Sequence, residues 1–122
     1  MRTGNPIRIG ETLREALMSS EAVTKIIGNR IYPYTTREEI NAPHAVYDGV
    51  SVTYADTKEG SYAESVSATI HANASDYSLS IAMASAIVDV LLEKDAHVDA
   101  VNCDYNDAAN MYVHNISITI QL

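Results

Sequence analysis

The sequence predicts an α+β domain in which an antiparallel sheet of about four to five strands carries helices on one face. Three observations lead to this prediction: a long apolar segment with helical spacing over 76–94, alternating apolar and polar residues over 45–72 and 101–122, and short turns inside both alternating regions. With 122 residues and 47% hydrophobic content, the chain is long enough for one core. Residues 1–122 are therefore expected to form a single domain.

Two short helices are predicted near the N-terminus, over residues 11–18 and 21–27. Thr12 and Glu15 have the spacing of a capping box, and apolar residues follow at helical spacing. The pair Ser19–Ser20 favours an end to the first helix and a cap for the second. Gly28 tolerates left-handed backbone and is expected to end the second helix.

The next segments are predicted to be extended, with a polar surface loop between them. Residues 30–34 should be extended because Pro33 restricts Tyr32 to non-helical geometry. Residues 35–43 form the loop, and a strand begins at Ala45. Its alternation places these residues on one side: Val46, Val50, Val52 and Tyr54.

Two antiparallel hairpins are predicted from the remaining alternation. The first turns at residues 55–60, and its second strand has an apolar side made of Tyr62, Val66, Ala68, Ile70 and Ala72. The second hairpin turns at residues 106–110. The apolar side of its first strand holds Val101, Cys103 and Tyr105. The apolar side of its last strand holds Tyr112, His114, Ile116, Ile118, Ile120 and Leu122.

The helix predicted over 76–94, with Ser75 as its N-cap, is apolar around most of its circumference. One row of residues contains Tyr77, Ile81, Ala84, Ile87, Val88, Leu91 and Leu92, and a second row contains Leu79, Met83, Ala86 and Val90. A surface helix usually has an apolar arc of little more than about 100°. This helix therefore needs cover on two sides, from the sheet and from either the N-terminal helices or another copy of the chain.

Composition and charge exclude several classes of protein. The formal charge of −8 is uneven, since residues 1–40 carry +1 and the other 82 residues carry −9. Such a surface repels DNA and RNA, so no specific nucleic acid binding is expected. No apolar run reaches the roughly 20 residues of a membrane span. The single Cys103 and the lack of a secretory signal indicate a protein made in a reducing cytoplasm.

No pattern of catalytic, cofactor or metal-binding residues is recognisable. The group His97, Asp99, Cys103 and Asp104 lacks the paired ligand spacing of zinc sites. Cys103 has no cationic neighbour in sequence to activate it towards His114 or His71, so a buried inert thiol is expected. The glycines are too far apart for a phosphate-binding loop. We therefore predict no enzyme, no cofactor and no metal.

The segment Gly28–Pro33, which follows the two short helices, resembles the corresponding segment of small tail completion proteins of long-tailed bacteriophages. In these proteins a loop follows, and then an X-Pro entry to a strand, here Ala42–Tyr47, a hairpin and a helix. The order matches over essentially the whole chain. The resemblance implies a virion structural protein, from a phage or a prophage, without catalytic residues.

Members of this family, which overlaps the tail terminator proteins, are similar in forming a ring, commonly of six subunits. The resemblance implies that the ring caps the tail tube, meets the head connector and lets DNA pass through its centre. Two alternatives remain: another oligomeric adaptor such as a head closure component, and a small enzyme. If the chain assembles with copies of itself, we expect the interface to include Leu79, Met83, Val90 and Tyr34.

Overall fold

The structure, a computed structural model, describes residues 4–36 and 38–122. After a short 3-10 helix at Pro6–Arg8, the helices are α1 (Ile9–Met18), α2 (Glu21–Ile27) and α3 (Tyr77–Glu93). The strands are β1 (Ile31–Pro33), β2 (His44–Thr57), β3 (Gly60–Ala74), β4 (His97–Asn106) and β5 (Met111–Gln121). The predicted mixture of helices with an antiparallel sheet is confirmed.

The five strands form one sheet in the order β1-β2-β3-β5-β4. The two predicted hairpins, β2 with β3 and β4 with β5, are both present, and β3 pairs with β5 between them. The short β1 runs parallel to β2. Because β4 is an edge strand, one of its sides has no strand partner among residues 4–36 and 38–122.

The core lies between the sheet and the helices. On β3 and β5, alternate residues point into it, including Val66, Ala68, Ile70, Ile116, Ile118 and Ile120. The helix α3 contacts the sheet and also α1 and α2, which contribute Leu13, Leu17 and Ile27 to the same core. The chain's own N-terminal helices therefore supply the second cover that the sequence required for α3.

The N-terminal helices begin differently from the prediction. α1 starts at Ile9, so Thr12 and Glu15 lie inside it and do not form a capping box. The predicted cap of α2 is present, since Ser20 accepts a hydrogen bond from the backbone N–H of Val23. Gly28 ends α2 with a φ of 58°, which suits a residue without a Cβ atom.

The predicted faces of β2 were wrong at Val46, because the strand contains a bulge. Ala45 and Tyr47 face the helices through their pairing with Ala72 and Ile70, which places Val46 on the opposite face. The register then shifts between Asp48 and Ser51. An extra residue in one strand reverses the alternation beyond it, so Val52 returns to the helix side.

The β2–β3 hairpin extends beyond the rest of the sheet. Its strands pair as far as Thr57 and Gly60, so the turn is shorter than predicted, whereas β5 pairs with β3 only from Ser65 onward. Tyr54 and Tyr62 lie on this projecting part and are more than half exposed. The hairpin is therefore an arm with exposed tyrosines.

The predicted long helix is confirmed as α3, with Asp76 as its N-cap in place of Ser75. Its buried side consists of Ser80, Met83, Ala84, Ile87, Val90 and Leu91. The prediction that Tyr77, Ile81 and Leu92 share a covered row with Ile87 was wrong, since all three are exposed. The sheet and the N-terminal helices cover the side between the two predicted rows.

Candidate functional site

An exposed apolar surface lies where α3 meets the edge strand β4. We call it the α3–β4 surface and define it by Tyr77, Ile81, Val88, Leu92, Val101 and Tyr105. Ile81 and Val101 keep 41% and 43% of their surfaces exposed, and Leu92 keeps 55%. Scattered exposed apolar residues are ordinary, but a contiguous set of them marks an interaction surface.

The position of β4 explains why this surface is uncovered. Val101, Cys103 and Tyr105 pair with Ile116, His114 and Tyr112, so they share the helix side of the sheet. In β4, however, every residue except Val98 is exposed. The sheet thus extends past the cover that α3 provides. The prediction that Cys103 is buried was wrong for the same reason, and its thiol is exposed.

A groove between α3 and β4 has His114 at its base. Ser80 and His114 are buried, and Ser80 Oγ lies 2.6 Å from His114 Nδ1 in a hydrogen bond. The groove measures about 290 Å³ and is open to solvent, whereas small-molecule sites occupy about 300–1,000 Å³. Among the described residues, no buried side-chain nitrogen or oxygen lacks a hydrogen-bond partner. The polar side chains that line the groove besides His114 are Ser85 and Asp89, both exposed at its rim on α3.

Three tyrosine rings pack against one another at one end of the α3–β4 surface. The ring of Tyr112 lies 5.1 Å from the ring of Tyr77 on α3 and 4.9 Å from the ring of Tyr105 on β4, measured between centroids. These distances are typical of favourable edge-to-face or tilted ring contacts. The cluster joins α3 to the edge strand and presents a fixed aromatic surface to solvent.

The candidate catalytic and metal-binding residues do not form a site. Cys103 is the cross-strand partner of His114. The Nδ1 atom of His114, however, is hydrogen-bonded to Ser80. His71 lies on the opposite face of the sheet. Ser80 is fully buried, so it cannot meet a substrate. Within residues 4–36 and 38–122, no group of three or more His, Cys, Asp or Glu side chains is placed to hold a metal ion.

The face of the sheet turned away from the helices, which we call the open face, carries a row of hydrogen-bonded polar side chains. His71 Nε2 lies 2.8 Å from Asp48 Oδ1, and His71 Nδ1 lies 2.5 Å from Asn115 Oδ1. Asn115 donates from Nδ2 to Asp104 across 3.0 Å. The row crosses β2, β3, β5 and β4 and has a carboxylate at each end.

A second carboxylate group lies near the end of the open face. Thr119 Oγ1 donates to Asp99 across 2.6 Å, and a ring nitrogen of His97 lies 2.9 Å from the same carboxyl group. These two hydrogen bonds, the Thr119 bond first, lower the pKa of Asp99. None of β2 to β5, all fully described, places a Lys or Arg within its paired registers on this face. The open face is thus polar and acidic.

A second exposed apolar surface lies near the N-terminus, and we define this N-terminal surface by Ile7, Arg8, Tyr34 and Val50. These residues line a shallow cavity together with Gly10, Glu11 and Tyr47. Ile7 and Tyr34 are 66% and 58% exposed. Burial raises the pKa of Tyr47, which packs beneath α1 close to Gly10.

The four residues predicted to form an interface have different environments. Met83 and Val90 are buried within the chain, and Leu79 is half-buried, because α1 and α2 cover this side of α3. Tyr34 is exposed on the N-terminal surface. The sequence did not single out the exposed apolar set Ile81, Leu92 and Val101, whose exposure depends on how far α3 covers the sheet.

A comparison with known protein families shows to which family the chain is related. The sequence model of the family described as "Tail completion protein gp17" matches residues 11–115. The chain belongs to this family. The resemblance drawn from the segment Gly28–Pro33 and the order of elements is therefore confirmed, and the tail completion protein is a structural protein of a phage-like virion.

A solved structure has a similar fold. A chain in the structure titled "Virion of native gene transfer agent (GTA) particle" superposes with a TM-score of 0.78 at 14% sequence identity, covering 93% of this chain and 92% of that one. At this identity the likeness shows a shared fold.

Among curated proteins, none matches the sequence. No helix in the described part of the chain is long and apolar enough to cross a membrane.

Proposed function

We propose that this tail completion protein assembles with copies of itself into a ring, of the kind that commonly has six subunits in this family. The ring caps the tail tube and joins it to the head connector of the virion. The protein is made in the bacterial cytoplasm and incorporated there. The observation that carries this proposal is the family match over residues 11–115. The similar chain within a gene transfer agent virion supports a place in an assembled particle.

The exposed apolar surfaces support an assembled state. The α3–β4 surface and the N-terminal surface each present large apolar side chains to solvent. Stable interfaces bury roughly 800 Å² on each partner, with apolar and aromatic residues at their centres. Contact with neighbouring proteins would remove these side chains from water.

The acidic open face supports a role beside DNA that passes through without being held. A channel lined by carboxylates repels the phosphate backbone and offers it no ion pairs. The open face, with Asp48, Asp99 and Asp104, has this character. We propose that it faces the channel of the ring.

Deletion of the gene in a strain that produces the particle tests this function. We expect DNA-filled heads and separate tails in electron micrographs, with joining restored when the protein is supplied in trans. Normal joined particles from the deletion strain would refute a tail completion role. Heads that lose their DNA beside tails of normal length and normal ends would favour the head closure alternative.

The oligomeric state tests the ring itself. Light scattering on the purified protein, and on the protein bound to tail tubes, should give a closed multimer in at least one of the two conditions. Closed symmetry is expected because an open head-to-tail contact would grow filaments. A monomer in both conditions would exclude a ring. Turnover of a small molecule by that monomer would support the enzyme alternative.

A further inference from the structure

The two exposed apolar surfaces of the chain suit each other as the two sides of one contact. We propose that the N-terminal surface of one copy docks on the α3–β4 surface of the next copy, head to tail. This inference rests on the assembly proposed above and identifies the surfaces that make it.

The positions of the two surfaces favour a head-to-tail contact. The α3–β4 surface borders β4, which is one edge of the sheet, and Tyr34 directly follows β1, which is the other edge. Two different surfaces at opposite edges can repeat the same contact from copy to copy, and a fixed rotation then closes a ring. A contact between two identical surfaces would stop at a dimer.

Charge argues against pairing two α3–β4 surfaces with each other. Residues 95–122 contain four aspartates, of which Asp99 and Asp104 lie on the open face, and no Lys or Arg, and Lys94 directly precedes this segment. Two such edges facing each other would place like charges together, which is unfavourable. The groove also includes the carboxylate of Asp89 on α3. The partner of this edge should therefore carry cations.

The N-terminal surface places one cation, Arg8, next to apolar side chains and beside the carboxylate of Glu11. Arg8 adjoins the exposed Ile7, and its own side chain is 67% exposed and forms a surface ion pair with Glu11. Such an exposed pair contributes little to stability, so Arg8 can turn towards an acidic neighbour at small cost.

Tyr34 is displayed by an unusual backbone conformation. Its φ is 62°, which is uncommon for a bulky residue and costs conformational energy. Hydrogen bonds hold it there: its N–H donates to Tyr47 O across 2.7 Å, and Val50 N–H donates to its hydroxyl across 3.3 Å. The fold thus keeps a large aromatic side chain in solvent, and strain of this kind is often found at binding sites.

Cross-linking between introduced cysteines tests the contact. In a Cys103→Ser background, the double variant Ile7→Cys with Val101→Cys is treated with a short bismaleimide, both as purified protein and within assembled particles. We expect a ladder of covalent multimers from this double variant. The matched control pairs Thr53→Cys, on the open face, with Val101→Cys and should remain monomeric.

Two results would overturn the inference while leaving the ring intact. One is that the Ile7→Cys, Val101→Cys variant gives no covalent multimers in particles that contain normal amounts of it. The other is a cross-linked dimer from Val101→Cys alone, which would show the edges packing like against like. If the protein is absent from particles, or is monomeric with and without tail tubes, the proposed function fails together with this contact.

A matched pair of substitutions gives a second measurement. Ile7→Asp and Ile81→Asp each place a charge on one of the two surfaces, and both residues are exposed, so circular dichroism should show an unchanged fold. Each variant alone should lose the multimer, whereas their mixture should form dimers through the remaining pair of intact surfaces. A multimer that persists in Ile7→Asp but disappears when Tyr54 and Tyr62 are changed to Ser would assign the contact to the hairpin arm and overturn the proposal.

Discussion

At the scale of single residues, the buried pair of Ser80 and His114 is the feature that the sequence concealed. Both residues are buried, and one hydrogen bond joins Ser80 Oγ to His114 Nδ1. A serine within an apolar helix and a histidine within an apolar strand each suggest an ordinary surface or strand residue. They meet because α3 crosses β5, so the pairing is a property of the packed structure.

Removal of the Ser80 hydroxyl should destabilise the fold. Ser80→Ala leaves Nδ1 of the buried His114 without a partner, and an unsatisfied buried polar group costs about 1–3 kcal/mol. The control Ser85→Ala changes an exposed serine of the same helix and should shift stability by less than about 0.5 kcal/mol. Urea unfolding of both variants measures the difference, and equal midpoints would mean that water replaces the hydroxyl.

At the scale of elements, α3 shows which properties of a helix the side-chain periodicity of the sequence predicts and which it does not. Its length and type followed from the sequence, as did the alternation of β5 and that of β3 from Val66 onward. The prediction that Tyr62 shares the side of Val66 was wrong, because the register shifts between Thr53 and Tyr54 and reverses the alternation of β3 before Ser65. The buried side of α3 did not follow from the sequence, because an apolar residue can face the core or the exposed groove without any change of local pattern. Adjacent residues Leu91 and Leu92 appear equivalent in sequence, yet one is fully buried and the other is half exposed.

The effects of replacing each of these two leucines with alanine on stability therefore test the position of α3. Leu91→Ala opens a cavity in the core and should reduce the free energy of unfolding by about 2–5 kcal/mol. Leu92→Ala removes an exposed side chain and should change it by less than about 0.5 kcal/mol. Thermal or urea unfolding of a monomeric background, such as Ile81→Asp, separates folding from assembly. Similar losses for both leucines would contradict the position of α3.

At the scale of the whole molecule, the charge distribution limits what the protein can bind. The net charge is −8, and the four longer strands turn a polar, acidic face away from the helices. DNA binding depends on basic side chains that displace counterions from phosphates. A channel lined by the open face would let DNA pass without retaining it.

The acidic open face predicts that the protein does not bind DNA even at low salt. Fluorescence anisotropy with labelled duplex DNA should show no change when the protein is added. A variant with lysines at Ser67, Thr119 and Gln121 would place cations on the open face and should bind with an affinity that falls as salt rises. Salt-dependent binding by the unmodified protein would contradict the proposed role of this face.

The sequence by itself determined the elements, their order and the two hairpins, because side-chain periodicity and turn residues act over a few neighbouring positions. The resemblance of the segment Gly28–Pro33 and of the element order indicated the family. The sequence also determined that α3 needs two covers. Only the tertiary structure decided that α1 and α2 provide the second cover, that the bulge in β2 turns Val46 outward, and that Ile81 and Val101 remain in solvent. The physical reason is that burial depends on the relative placement of distant segments, and the edge strand β4 lies beyond the reach of the helix that would otherwise cover it.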